Sequence, residues 1–102
     1  MLELVEQHRT KLKELCRQRH VARLELFGSA ATGAFEPASS DLDFLVQFMP
    51  LAPAALADAY FGLLHGLEDL FGRKIDLVMP EAIRNRYFQQ AVDRERTLLY
   101  AA

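Results

Sequence analysis

A single cysteine, Cys16, in a chain of 102 residues excludes an internal disulfide, and no cysteine or histidine accompanies it at zinc-ligand spacing. A basic excess is missing as well: twelve Lys and Arg stand against fourteen Asp and Glu, a formal net charge of −2. Dedicated nucleic-acid binders carry the opposite imbalance, so nucleic acid is not expected as the main ligand. Hydrophobic residues make up 51% of the chain, yet no run of them is long enough to span a bilayer, and the first residues are charged and amphipathic where a secretory signal would be apolar. The expectation is a cytoplasmic protein without a membrane partner. Repeats, linkers and low-complexity stretches are absent from the sequence. One domain over residues 1–102 is expected, with length for one core and no room for a separate substrate-binding domain. A partner is expected to supply that part.

What the sequence does have is clear periodicity. Leu2, Val5, Leu12, Leu15 and Cys16 recur at helical spacing with charged residues mostly opposite, predicting an amphipathic helix over 2–19. Leu24 and Leu26 alternate with Arg23 and Glu25 as a first strand that runs into the Gly28-Ser29 turn. A loop follows over 30–40, and Leu42, Phe44, Val46 and Phe48 alternate as the buried face of a second strand closed by Pro50 and Pro53. A second helix is predicted over 53–71, with Gly72 as its C-cap. A third strand over 75–79 stops at Pro80, a third helix is predicted over 81–94, and Leu98-Leu99-Tyr100 is a last apolar patch of undefined form. The fold class is therefore α/β (α+β): a small mixed sheet of three to four strands flanked by helices, in the order α-β-β-α-β-α.

This order places the acids. Gly28-Ser29 ends the first strand and Asp41 begins the second, so an antiparallel pair brings them to one edge of the sheet. A nineteen-residue helix rises about 28 Å, enough to run back along a seven-residue strand of about 23 Å. The third strand then lies parallel to the second through a right-handed crossover, and Asp76 lands beside Asp41 and Asp43. Asp41 and Asp43, two residues apart, leave the same strand face with Cα atoms roughly 7 Å apart, a spacing that serves one cation or a close pair of them. Mg²⁺ suits such a site because it takes one or two carboxylates and completes its octahedron with water and phosphate oxygens. Gly28 lets the backbone approach phosphates, and Ser29 offers a hydroxyl to a phosphate oxygen. Asp76 is a candidate for holding a second metal or accepting the proton of an attacking hydroxyl.

Each fragment alone has a plainer explanation. Gly-Ser turns occur in many hairpins, and an isolated Asp-x-Asp often only solubilises a strand edge. Three acids gathered at one edge repel one another unless paired, and the nearby cations, Arg23 and Lys74, are expected to face solvent. A bound cation accounts for the cluster more economically. His8, His20 and His65 are expected on solvated faces, Cys16 in the core as a reduced thiol, and Arg84, Arg86, Arg94 and Arg96 on a solvated helical face. Tyr60, Phe61, Tyr87 and Phe88 are expected in a core or interface, and the apolar share leaves room for a homo- or hetero-oligomer contact.

The run over 27–46, with Asp76 in Lys74-Ile75-Asp76-Leu77-Val78, resembles the minimal nucleotidyltransferases of the DNA polymerase β-like superfamily, over nearly the whole chain. The family pattern of Gly-Ser, loop, Asp-x-Asp and a later acid falls on Gly28, Ser29, Asp41, Asp43 and Asp76. The resemblance implies a closing helical segment over 87–100 and a catalytic, metal-binding triad of Asp41, Asp43 and Asp76. It further implies an antitoxin that transfers AMP from ATP to a hydroxyl, typically tyrosine, of a HEPN-type toxin. Two departures stand out: Thr32 where many relatives carry arginine, from which weaker contact with nucleotide phosphates is expected, and a loop from Ser29 to Asp41 one residue longer than is common. Two other functions stay open at this point, namely stoichiometric neutralisation of a partner without catalysis and nucleotidyl transfer to a small hydroxylated molecule.

Overall fold

A computed structural model describes residues 3–28, 41–80 and 96–102. Its elements are α1 (Glu3–Gln7), α2 (Arg9–Gln18), β1 (Val21–Phe27), β2 (Leu42–Phe48), α3 (Pro53–Phe71), β3 (Ile75–Val78) and β4 (Thr97–Ala101). The four strands form one sheet in the order β3-β2-β1-β4. β1 runs antiparallel to both β2 and β4, and β2 and β3 are parallel, joined through α3. The mixed sheet and the return of β3 beside β2 are those expected from the spacing.

Alternation divides the sheet into two faces. Leu24, Leu26, Leu42, Phe44, Val46, Ile75 and Leu77 point into the main core, where they meet Val5, Leu12 and Cys16 of the first two helices and Leu63, Leu67 and Phe71 of α3. Burial pushes the Cys16 thiol up to about 12, so it stays protonated and packs as a small hydrophobe. On the opposite face, Phe27, Leu45 and Val78 form a second, smaller apolar cluster. α3 begins with Pro53 after an extended Ala52 and ends at Gly72, whose N–H still bonds the Glu68 carbonyl and whose φ of 62° then turns the chain out of the helix. Gly66 lets α2 lie close to α3: a Cβ there would come within 2.6 Å of the Leu15 side chain. No helix among the described residues is long and apolar enough to cross a membrane.

Four expectations need correction. The first helix is broken at His8, which has φ −110° and ψ 14°. Its ring Nδ1 lies 2.9 Å from the Leu4 carbonyl oxygen, while its backbone N–H turns to Val5 at 3.1 Å. A side chain thus competes for the carbonyl that helix continuation would use. The same ring stands edge-on to Phe71, with centroids 5.4 Å apart, so His8 is half-buried and not on a solvated face. At the other end, residues 97–101 form a strand and not the end of a helix, because they pair with β1, a partner far away in sequence. Arg96 accordingly sits one residue before β4 and not on a helical face. The predicted helix over 81–94, with Arg84, Arg86, Tyr87, Phe88 and Arg94, lies outside the described residues, as do Ser29 and Thr32.

Candidate functional site

Strand register sets the site. Phe27 of β1 stands opposite Asp43 of β2, and Asp43 stands opposite Asp76 of β3. The three residues form one row across the sheet, on the face away from α1, α2 and α3. Asp43 and Asp76 come within hydrogen-bonding reach of each other. Burial, then the charge of Asp76, then that of Asp41 push the Asp43 carboxyl up to about 6, as expected when like charges share a partly desolvated place.

Asp41 stands just before β2, with its Oδ2 3.8 Å from Lys74 Nζ on a largely exposed side chain. The Leu42 N–H bonds the Lys74 carbonyl at 3.3 Å and ties this corner to the start of β3. Asp43 and Asp76 are therefore the facing pair and Asp41 the outlying third. Among the described residues no three His, Cys, Asp or Glu side chains form a ready-made cage for an ion.

Gly28 adds a constraint that composition does not reveal. Its φ is +71°, and a Cβ built on it would overlap Asp43 Oδ2. The glycine therefore makes room for the carboxylate as well as turning the chain. Any side chain there would displace Asp43.

Two residues near the acids escaped the sequence pattern. Tyr60 of α3 donates its hydroxyl to the Leu77 carbonyl at 2.6 Å, tying the helix to β3 one residue beyond Asp76. Burial first, and then the Asp76 charge, raise its pKa. The helical period assigns Tyr60 to an inward face and is silent about the hydroxyl. Glu25 is 5% exposed although its place in an alternating strand suggests a solvent-facing carboxylate. It is held by Arg23 Nε at 3.0 Å and Arg96 Nε at 3.3 Å. No local signal gives the Arg96 contact, since it depends on β4 pairing with β1.

The donor set fits a hard divalent cation. Mg²⁺ dehydrates reluctantly and is usually held by one or two carboxylates plus substrate oxygens, and an open carboxylate pair of that kind is what Asp43 and Asp76 present. The charges acting on Asp43 are those of other acids, so the pair gains most from a cation brought by a ligand.

Comparison with known proteins gives the family. A model of the nucleotidyltransferase domain family matches residues 6–99. Two Methanocaldococcus jannaschii proteins, each provisionally named a protein adenylyltransferase, align at 33% and 29% identity over 93 residues, covering 91% of this chain and 88% of theirs. A solved structure provisionally named a minimal nucleotidyltransferase superposes with a TM-score of 0.68 at 28% identity, over 95% of both chains. The fold is shared with a chain of a toxin-antitoxin crystal structure with AMP-PNP, at TM-score 0.67 and 22% identity, over 92% of this chain and 73% of that one. It is shared too with a chain from the complex of tri-AMPylated Shewanella oneidensis HEPN toxin with MNT antitoxin, at TM-score 0.63 and 20% identity, over 95% and 72%. At such identities the last two speak for the fold alone.

Proposed function

This chain belongs to the nucleotidyltransferase domain family and is an enzyme of that type, and from that premise we propose that it is the antitoxin partner of a HEPN-type toxin, transferring AMP from ATP, with Mg²⁺, to a tyrosine hydroxyl of that toxin in the cytoplasm. The observation that carries this reading is the Asp43–Asp76 pair, two carboxyls face to face across parallel strands beside a glycine that leaves them room. Support for the acceptor comes from relatives named as protein adenylyltransferases and from the shared fold of an MNT antitoxin found with an AMPylated HEPN toxin.

Asp43 and Asp76 would hold Mg²⁺, with Asp41 as outlying support. When bound, the ion would neutralise the triphosphate and polarise the phosphorus under attack. Asp43 must first lose its proton, and a carboxyl lifted to about 6 does so at neutral pH. Gly28 keeps the Asp43 carboxylate in position and leaves its backbone open to phosphate oxygens, to which Ser29 would add a hydroxyl bond. Asp76, whose side chain is exposed, would take the proton of the acceptor hydroxyl as that oxygen bonds the α-phosphorus and pyrophosphate leaves.

The test is transfer of label from α-labelled ATP to the HEPN-type protein encoded beside this chain, with and without Mg²⁺. Metal-dependent labelling of a tyrosine is the expected result. If no label moves with any divalent metal, or if Asp43→Ala neutralises the partner as well as the wild type does, stoichiometric binding replaces chemistry as the function.

A further inference from the structure

The sheet face that carries the acids also carries a polar site that the transfer chemistry leaves unused. Glu25, in the middle of β1, is buried between two guanidiniums, with Arg23 Nε on Oε1 and Arg96 Nε on Oε2. A buried carboxylate in such a triad adds little stability compared with an apolar residue of similar size. What it does achieve is to anchor two long, otherwise flexible arginines on either side of one point.

Around that point is a cavity of about 240 Å³, lined by Arg23, Glu25, Leu45, Gln47, Pro80 and Arg96. Among the described residues these side chains bring two guanidiniums and one carboxylate to the cavity wall. The volume is below the roughly 300–1,000 Å³ of pockets that enclose whole small molecules, so a nucleotide is too large. A side-chain-sized anion fits, and planar guanidiniums match the oxygens of a carboxylate or a phosphate.

The position of the cavity narrows its use. Glu25 stands opposite Leu45, and Leu45 follows Asp43 on the same face at about 7 Å along the strand, with Gln47 at about 14 Å. An extended segment lying over this face covers that interval in about two to four residues at roughly 3.4 Å each.

We propose that this cavity is a specificity site for the acceptor, holding an anionic side chain about two to four residues from the hydroxyl presented to Asp43 and Asp76. What the site selects for rests on the transfer reading above; that it binds an anionic segment does not. Carboxylate and phosphate share the required chemistry, and separate arms of the test distinguish them.

The experiment uses fluorescent tyrosine peptides bearing glutamate, phosphoserine or glutamine at the second to fourth positions from the tyrosine. Affinity is read by anisotropy without ATP, and kcat and KM for AMP transfer are read separately. The proteins are the wild type, Gln47→Glu, Gln47→Lys and Arg96→Gln. Gln47 is an exposed side chain on the cavity wall, so its variants keep the fold, and Arg96→Gln leaves the Arg23–Glu25 pair intact. Peptides with an anionic residue should bind wild type about tenfold tighter than glutamine peptides, the size of one charge-assisted contact. Gln47→Glu and Arg96→Gln should erase that preference and raise KM more than they lower kcat, and Gln47→Lys should enhance it. Tighter binding of phosphoserine assigns the site to phosphate, and tighter binding of glutamate assigns it to carboxylate. Equal binding of anionic and neutral peptides, or a preference untouched by Gln47→Glu and Arg96→Gln, overturns the proposal. An anion preference without transfer to any peptide keeps the site and counts against the transfer reading, whereas transfer without charge preference sinks the site alone.

Discussion

Glu25 and Asp43 lie on the same face of the sheet, one step apart on neighbouring strands, and their charges are treated in opposite ways. Glu25 is the more deeply buried, yet two arginines stand on its oxygens. Asp43 is only partly buried, and that burial, with the charges of Asp76 and Asp41 added, holds its carboxyl at about 6. At Glu25 the chain supplies its own counter-charge. At Asp43 it concentrates negative charge beside an open turn, which costs folding stability and favours a ligand that brings a cation. The contrast separates a carboxylate that organises the protein from one held ready for something else.

The largest expected effect breaks the contrast at its acidic end. Asp43→Asn should lower AMP transfer about 10³-fold, or about 4 kcal/mol, because the amide cannot replace a charged metal ligand. At subsaturating Mg²⁺, wild-type transfer should itself fall as pH drops through about 6, where metal-free Asp43 takes up its proton. A pH–rate profile and single-turnover kinetics check both.

At the compensated end the change appears in stability. Arg23→Gln takes one of two partners from a buried carboxylate and should cost about 2 kcal/mol in urea unfolding. The double variant Arg23→Gln/Glu25→Gln, which removes the charge with its partner, should cost less. A double variant less stable than Arg23→Gln would contradict the role assigned to the arginine. Gly28→Ala joins the two measurements: a left-handed φ and overlap with Asp43 Oδ2 should cost about 1–2 kcal/mol and lower transfer with no charge altered.

Removing the repulsion should show as a gain. In an acid whose folded pKa is raised from 3.8 to about 6, stability is greatest below the unfolded value and is lost as pH rises through the folded one. Metal-free Asp43→Asn should therefore melt higher than wild type above pH 6, with the difference vanishing below 3.8. Solvent access limits the effect to about 1 kcal/mol, which is about 4–8 °C in a domain of this size. Equal melting temperatures at pH 7.5 would mean that the carboxyls do not strain the fold. A loss of similar size, about 1 kcal/mol in urea unfolding, is expected from Tyr60→Phe for one hydrogen bond to the Leu77 carbonyl.

The row of acids was legible in the sequence because each step in it is local or geometric. Alternation gives the faces of β2, the length of α3 returns the chain, and Asp76 then falls beside Asp43. What stayed hidden depends on contacts between distant residues. β4 is a short apolar stretch that becomes a strand by pairing with β1. Glu25 looks solvent-facing in an alternating strand until Arg96 arrives from β4. The break at His8 follows from one side-chain bond to Leu4 and a ring contact with Phe71, neither of which alters the hydrophobic period. Gly28 was recognisable as a turn, but its second task, leaving space for Asp43, needed the register of β1 against β2.

The most direct test of the central claim, that the Asp43–Asp76 pair is completed by a divalent cation, is Mn²⁺ binding followed by loss of the free-ion paramagnetic resonance signal, at pH 7.5 with a non-hydrolysable ATP analogue. Wild type should take up Mn²⁺ beyond what the nucleotide alone binds, with Mg²⁺ competing, and Asp43→Asn/Asp76→Asn should take up none. Uptake by the double variant equal to that of wild type, or no uptake by wild type, would contradict the account.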